Sequence, residues 1–375
     1  MGDWSSCTLD EVIDLQRGHD LPSTIRGDGD VPVIGSFGIT GFHDVAKYPG
    51  PGVAIGRSGA SIGVATFCAS EYWPLNTCLF VKNFKRNDPR WVFYLLDSID
   101  FSGFNSGSAQ PSLNRNYLKS IPILLPSLVE QQAIAGVLSA LDDKIESNRR
   151  IVKTAREFID ALFCNAFSDG EINVQVSCLA EVVDCLHTKK PDQALEGKQL
   201  LQLSNISDDG FLILGNHYPI SLDDYNKWTA NIEATEGDVI LTNVGRVGAL
   251  ARLPKGVKAA LGRNMTAIRA RKPSDALFIF AALNNAQVRR GMKSLIDVGT
   301  IMDALNVHAI RRILLPESTV LQRDGFASAV GDLVERAEVA VKESGGLKSL
   351  RDTLLPELLS GRLRVRDTEL MMENV

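Results

Sequence analysis

The sequence predicts an α+β chain built as a tandem repeat, each copy a mixed α/β segment followed by one long helix. Three observations predict it. Motifs recur in the same order at a nearly constant spacing, short Val/Ile/Phe runs sit between Gly, Pro and Asn in each copy, and two long apolar seams have heptad spacing. The recurring anchors are Gly59 and Gly245, at an offset of 186 (245 − 59), and Asn76 and Asn264, at 188 (264 − 76). Leu113-Asn114 and Leu305-Asn306 follow at 192 (305 − 113), then Leu125-Pro126 with Leu315-Pro316 and Gln132 with Gln322 at 190 (315 − 125).

Val53-Ala54-Ile55 and Cys78-Leu79-Phe80-Val81 read as short strands of the first copy. Asp238-Val239-Ile240-Leu241 and Thr266-Ala267-Ile268 read as strands of the second. The first helix opens on a capping box, Ser127-x-x-Glu130, directly after Pro126. Its seam is Ile134, Leu138, Leu141, Ile145, Asn148, Val152, Ala155, Ile159 and Leu162, in alternating steps of four and three. Asn148, its polar member, costs stability and can fix register. The second helix opens on Thr319-x-x-Gln322. Its seam is Phe326, Val330, Leu333, Ala337, Ala340, Ser344, Leu347, Arg351, Leu354 and Leu358. Gly345-Gly346 and Pro356 predict a kink or break there, since each interior Gly costs about 1 kcal/mol. Matched seams suit pairing of the two helices with each other, the alternative being that each packs on its own domain. The expected boundaries are 1–125 and 171–316 for the mixed domains, and 126–170 and 317–375 for the helices with the C-terminal tail.

The net charge is −5, so nucleic-acid contact has to come from a local patch. Such a patch is legible. Arg246, Arg252, Lys255, Lys258, Arg263, Arg269, Arg271, Lys272, Arg289, Arg290 and Lys293 fall between Val239 and Lys293 with Asp275 as the one acid, +10 in all (11 − 1). The first copy is weaker, with Arg57, Lys82, Lys85, Arg86 and Arg90 against Glu71 and Asp88. Arginine can hold a guanine edge and asparagine an adenine edge. The candidate DNA-contacting residues are therefore Arg57, Ser58, Ser61, Asn76, Lys82, Arg115, Arg246, Arg252, Arg263, Asn264, Arg269 and Arg271. Asn76 and Asn264 read equally well as turn residues.

Catalytic signals are missing. There is no Gly-x-x-x-x-Gly-Lys-Ser/Thr loop and no Asn-Pro-Pro-Tyr motif. Pro191-Asp192 with Glu196-Gly197-Lys198 reads as a solvated loop, because three intervening residues do not suit the separate strands of a nuclease metal site. The six cysteines form no Cys-x-x-Cys pair, so free thiols are expected and no metal site. No apolar run of about 18 residues and no basic-then-apolar N-terminus occur, which points to a cytoplasmic protein without a membrane span.

Gly107-Ser108-Ala109-Gln110-Pro111-Ser112-Leu113-Asn114, Ile121-Pro122-Ile123-Leu124-Leu125-Pro126 and Leu141-Asp142-Asp143-Lys144-Ile145 carry a resemblance. So do Arg57-Ser58-Gly59-Ala60-Ser61-Ile62-Gly63, Trp73-Pro74-Leu75-Asn76-Thr77 and the ending Leu354-Leu355-Pro356-Glu357-Leu358-Leu359-Ser360-Gly361-Arg362. With these motifs the chain resembles the specificity subunits of Type I restriction-modification systems. The second copy departs from the pattern. Gly299-Thr300-Ile301-Met302 lacks the Gln-Pro pair, and the turn Asn243–Gly248 is one residue shorter.

The resemblance implies two target-recognition domains separated by two long spacer helices, paired as an antiparallel coiled coil with pseudo-two-fold symmetry. It implies a non-catalytic subunit that reads an asymmetric bipartite target in double-stranded DNA. It also implies two modification (methyltransferase) subunits and restriction/translocase subunits as partners. S-adenosylmethionine, ATP and Mg2+ belong on those partners, with no cofactor in this chain. The competing reading is a coiled-coil scaffold without base readout.

Overall fold

A computed structural model describes residues 4–104, 112–168, 170–297, 299 and 302–365. The Gly107–Pro111 part of the resemblance lies outside the described residues, as do Thr300 and Ile301. Two compact units are present, one of residues 1–143 with 350–375 and the other of residues 144–349.

The first domain comprises β1 (Ser5–Thr8), α1 (Leu9–Val12), β2 (Asp14–Arg17), β3 (Val31–Gly35), β4 (Gly38–His43), β5 (Gly52–Gly56), β6 (Ala65–Cys68), β7 (Trp73–Pro74), β8 (Cys78–Asn83), α2 (Pro89–Ser98), α3 (Arg115–Leu118) and β9 (Pro122–Leu125). A helix, α4 (Leu128–Phe167), follows. The second domain comprises β10 (Ile172–Gln175), α5 (Val176–Leu179), β11 (Ala180–Asp184), β12 (Lys198–Leu201), β13 (Pro219–Ile220), α6 (Leu222–Trp228), β14 (Val239–Thr242), β15 (Leu250–Arg252), β16 (Ala260–Leu261), β17 (Met265–Ala270), α7 (Asp275–Asn284), α8 (Ala286–Lys293), α9 (Val307–Arg311) and β18 (Leu314–Pro316). Helix α10 (Val320–Leu359) ends the order.

The duplication is visible in the hydrogen-bonded order of the strands. The first domain has sheets β2-β8-β5-β6, β4-β3-β7 and β1-β9; the second has β11-β17-β14-β15, β13-β12-β16 and β10-β18. Each strand of one set has its counterpart in the other, down to the parallel pairs β3 with β7 and β12 with β16. The central strands β5 and β14 are buried throughout, as both faces are covered. Ile34, Ala54, Tyr72 and Phe80 form one core cluster of the first domain. Val239, Leu241, Ile268, Phe278 and Phe280 belong to the largest cluster of the second.

This register corrects three of the sequence anchors. Gly56 pairs with Cys78 and Thr242 with Met265, so Thr77 is the counterpart of Asn264, and Asn76 that of Arg263. The bond from Leu9 N–H to the Ile121 carbonyl recurs as Val176 N–H to Ile313, an offset of 192 (313 − 121). The caps Ser127 and Thr319 keep that offset. The likenesses of Leu125-Pro126 to Leu315-Pro316 and of Gln132 to Gln322 are thus displaced by two residues. Gly59 with Gly245 and Leu113 with Leu305 do coincide, since Leu113 N–H bonds the Arg57 carbonyl and Leu305 N–H that of Asn243.

Within the unit of residues 144–349, α4 and α10 run antiparallel. Asn148 Nδ2 donates to Glu343 Oε2 at 2.8 Å, while farther along Phe163 packs edge-on against Phe326 at 5.7 Å. Asn148 is buried, and Glu343 also meets Lys144 at 3.1 Å; the Asn148 hydrogen bond first, and Lys144 with it, holds the Glu343 carboxyl below the usual range. In the other unit Arg351 Nη1 donates to Asp142 Oδ1 at 2.8 Å, and Tyr94 Oη donates to Asp142 Oδ2 at 2.7 Å. Ile134, Leu138, Leu141, Val152, Ala155, Ile159, Phe326, Val330, Ala337, Ala340, Leu354 and Leu358 are buried. Each such Leu or Ile removes apolar surface worth about 1.5–3 kcal/mol. Ile145, Leu162, Leu333 and Leu347 are only half-buried, and Phe163 and Val334 take the inner positions beside Leu162 and Leu333. A straight helix of 3.6 residues per turn drifts from a strict heptad, which shifts the inner face by one residue.

The expected break in the second helix does not occur. α10 runs unbroken through Gly345, Gly346 and Pro356. Tertiary packing overrides propensity there: Gly345 lies against the backbone of Gly215, where a Cβ would sit 3.7 Å from the Gly215 nitrogen. All six cysteines are free.

Candidate nucleic-acid interface

The candidate site of the first domain grows from strand ends. After β5 the chain turns sharply, and Gly56 is required because a Cβ there would sit 2.0 Å from the Ser61 carbonyl oxygen. Gly59 and Gly63 carry positive φ of 77° and 81°. Arg57 is clamped through its backbone, donating to the Thr77 carbonyl at 3.0 Å and accepting from Leu113 N–H at 2.8 Å. Its Nη1 and the Nε of Arg17, at the end of β2, both donate to the Asn76 carbonyl at 3.4 Å. The Asn76 amide itself donates to Asp20. Arg17, Arg57 and Arg115 line one open cleft of about 340 Å3 with Leu79, Ser112, Leu113 and Asn114, and among the described residues no carboxylate lines it. Asn114 caps α3 by accepting from Asn116 N–H, which sets Arg115 at the start of that short helix.

The same backbone frame in the second domain carries different side chains. Asn243 N–H donates to the Asn264 carbonyl at 2.8 Å, so Asn243 is the counterpart of Arg57. Arg17 pairs with Leu79 and Asp184 with Thr266, which makes Asp184 the counterpart of Arg17. Asn306 caps α9 as Asn114 caps α3, and Val307 stands where Arg115 does. Three arginines thus become Asp, Asn and Val. Asn243 is buried, its amide donating to the Leu305 carbonyl at 3.1 Å. The Thr266 hydroxyl lies between Asn243 Oδ1 at 3.0 Å and Asp184 Oδ1 at 3.3 Å. Asp184 Oδ2 meets His187 Nε2 at 2.7 Å. Asp184, Cys185 and His187 bring one ligand-type atom each within 4.8 Å of one another, three donors where a closed zinc site takes four. Burial raises the Cys185 thiol, so it stays protonated.

The remaining candidates divide. Lys82, Arg115, Arg246, Arg263 and Arg271 are exposed, and Arg57, Ser58, Asn76 and Asn264 partly so. Asn264 holds a left-handed φ of 66°. Ser61 is buried and donates to the Ser58 carbonyl. Part of the basic run is committed inside the second unit. Arg252 pairs with Glu338 of α10, the two side chains only 13% and 8% exposed. Arg269 holds Asp238 through two nitrogens and also reaches the Glu233 carbonyl at 2.7 Å. Arg246 pairs with Asp208, and Lys258 with Glu233. Of the candidates, Ser61 is thus buried, Arg252 is largely buried against Glu338 and Arg269 is held by Asp238 within the domain. Among the described residues Arg263, Arg271, Lys272, Arg290 and Lys293 make no ion pair. Sequence reasoning missed Arg17 and Asp184, since a residue closing an edge strand carries no motif.

Residues 1–155 match the family described as Type I restriction modification DNA specificity domain. The chain is similar to Type I specificity subunits. It is 25% identical over 140 residues to the Type I restriction enzyme EcoprrI specificity subunit of Escherichia coli, covering 36% of this chain and 35% of that relative. To the Type I restriction enzyme MjaIX specificity subunit of Methanocaldococcus jannaschii it is 25% identical over 308 residues, covering 74% of this chain and 69% of the relative. Among solved structures, the S subunit of a Type I restriction-modification system from M. genitalium aligns with a TM-score of 0.67 at 17% identity, over 95% of this chain and 96% of that one. That likeness shows a shared fold. No helix among the described residues is long and apolar enough to cross a membrane.

Proposed function

We propose that the chain is the DNA-reading subunit of a Type I restriction-modification complex of the cytoplasm, recognising an asymmetric two-part duplex target with one part held by each domain. The observation that carries this reading is the pairing of one strand order with different side chains at equivalent positions: Arg17, Arg57 and Arg115 on one copy, Asp184, a buried Asn243 and Val307 on the other. A duplicated frame presents two equivalent surfaces, and unlike side chains on them favour unlike sequences. The chain itself performs no reaction in this reading. Two modification subunits supply methyl transfer from S-adenosylmethionine, and restriction subunits supply ATP- and Mg2+-dependent translocation and cleavage.

Support for two copies of one partner comes from the long helices. Val129 in the first turn of α4 and Leu321 in the first turn of α10 stand at the same offset of 192 (321 − 129) and are 77% and 81% exposed. Leu128 and Val320 beside them are exposed too, and a two-residue apolar patch repeated at the start of each helix suits a repeated docking contact. The same pair also favours the scaffold reading, in which the chain assembles subunits without reading bases.

Selection from a randomised duplex library, with the chain alone and with modification subunits added, separates the two. A gapped motif with two unlike halves is expected. Retention of DNA without any enriched motif, or no retention at all in a properly assembled complex, would overturn the reading in favour of the scaffold.

A further inference from the structure

Arg17 and Asp184 occupy one structural position in two copies of the same domain, and their chemistries are opposite. Each closes the edge strand of a four-stranded sheet, opposite Leu79 in one case and Thr266 in the other. The Arg17 side chain is exposed, and its Nε makes one long bond, 3.4 Å, to the Asn76 carbonyl. A guanidinium carries five N–H donors, so several of Arg17 remain unused among the described residues. Arg57 leans on the same carbonyl oxygen, also at 3.4 Å. Two guanidinium groups sharing one acceptor, beside Arg115 in a cleft that no carboxylate among the described residues lines, call for an acceptor-rich partner from outside.

Asp184 is set for the reverse. Its Oδ1 accepts from Cys185 N–H at 3.0 Å and lies 3.3 Å from the Thr266 hydroxyl, which fixes the carboxylate plane. Its Oδ2 meets the exposed His187 ring at 2.7 Å and keeps a lone pair for a further donor. The side chain is 31% exposed.

We propose that Arg17, supported by Arg57, holds the O6/N7 edge of a guanine in the half-site of the first domain, and that Asp184 accepts from the exocyclic amino group of a base in the half-site of the second. This rests on the DNA-reading function proposed above. In the major groove guanine presents two acceptors, while cytosine and adenine present an amino donor, so an arginine and a carboxylate at one position select against each other's base. The phosphate backbone offers only acceptors and would repel Asp184. The two copies therefore do not bind backbone alike through this position.

The test reads the target of the assembled complex by selection from randomised duplex DNA, and by its methylation pattern in a host without methylation of its own. Arg17→Gln should relax one position of one half-site, lowering the preference for guanine there by roughly 5- to 150-fold while the other half stays unchanged. Asp184→Asn should relax one position of the other half, and the base lost there tells cytosine from adenine. Arg17→Lys keeps the charge and serves where Arg17→Gln fails to fold; it should weaken the guanine preference by losing the two-pronged bond. An unchanged motif in the variants, or an equal loss of affinity for every sequence as expected of a phosphate contact, overturns the assignment. A wild-type complex that enriches no motif would overturn the DNA-reading function itself, which is a different result from variants that keep the wild-type motif.

Discussion

The first and second domains share every strand pairing yet use their arginines in opposite ways. In the first, Arg17, Arg57 and Arg115 converge on an open cleft that no carboxylate among the described residues lines. In the second, Arg252 and Arg269 are drawn inward onto Glu338 and Asp238, and Arg246 is paired with Asp208. Two members of the cationic run that makes the second copy look like the stronger DNA binder, Arg252 and Arg269, form an internal truss. The difference teaches that frame and readout are separable. Backbone bonds such as Arg57 N–H to Thr77 and Asn243 N–H to Asn264 are kept, while the side chains at those positions are free to change.

The sharpest break of this contrast is a stability measurement. Arg252→Ala leaves the Glu338 carboxylate buried without its partner and should cost about 3–5 kcal/mol of unfolding free energy. Burial already raises the Glu338 carboxyl above its usual range despite Arg252. A carboxyl raised in the folded state favours folding below its unfolded pKa and loses that contribution as pH climbs through the folded value. The deficit of Arg252→Ala should therefore be largest at neutral pH and shrink as the solution is acidified toward the carboxylate range. Denaturant melts at several pH values check it, and a deficit that grows on acidification would contradict the pairing.

Arg57→Ala and Arg115→Ala should do the reverse. Stability should move by less than about 0.5 kcal/mol, as expected for side chains away from the core. DNA affinity should fall, and each lost phosphate contact should flatten the log–log salt slope by about 0.9. Arg269→Ala should destabilise the protein while leaving that slope untouched. Titrations at a series of salt concentrations compare the three. A slope that changes for Arg269→Ala and not for Arg57→Ala would invert the assignment of roles.

The smallest expected effect concerns the helices. Gly346 lies inside α10, and a Cβ added there would meet nothing within 4 Å, so Gly346→Ala should stabilise by about 0.5–1 kcal/mol. A loss instead would mean that α10 bends there in solution.

The sequence made legible what depends on neighbours along the chain. The capping boxes at Ser127 and Thr319 and the heptad seams are local patterns of spacing, and both helices begin where those patterns place them. The order of the repeat was legible for the same reason. Its register was not, because the equivalence of Thr77 with Asn264 is set by strand pairing across the sheet rather than by matching asparagines. The role of the basic run was hidden too. Arg269, Arg246 and Arg252 find their acids 31, 38 and 86 residues away, Asp238 and Asp208 before the run and Glu338 after it, so a count over the run alone leaves them out. The break expected at Gly345-Gly346 failed because propensity speaks for an isolated helix, whereas α10 is held by packing.

One domain for each half of the target is the claim on which the account stands. It is tested most directly by replacing residues 1–123 with the corresponding segment of another Type I specificity subunit and reading the methylation target of the assembled complex. The account predicts that one half of the two-part sequence changes to that of the donor and the other half stays as it was. A change in both halves, or in neither, would contradict it.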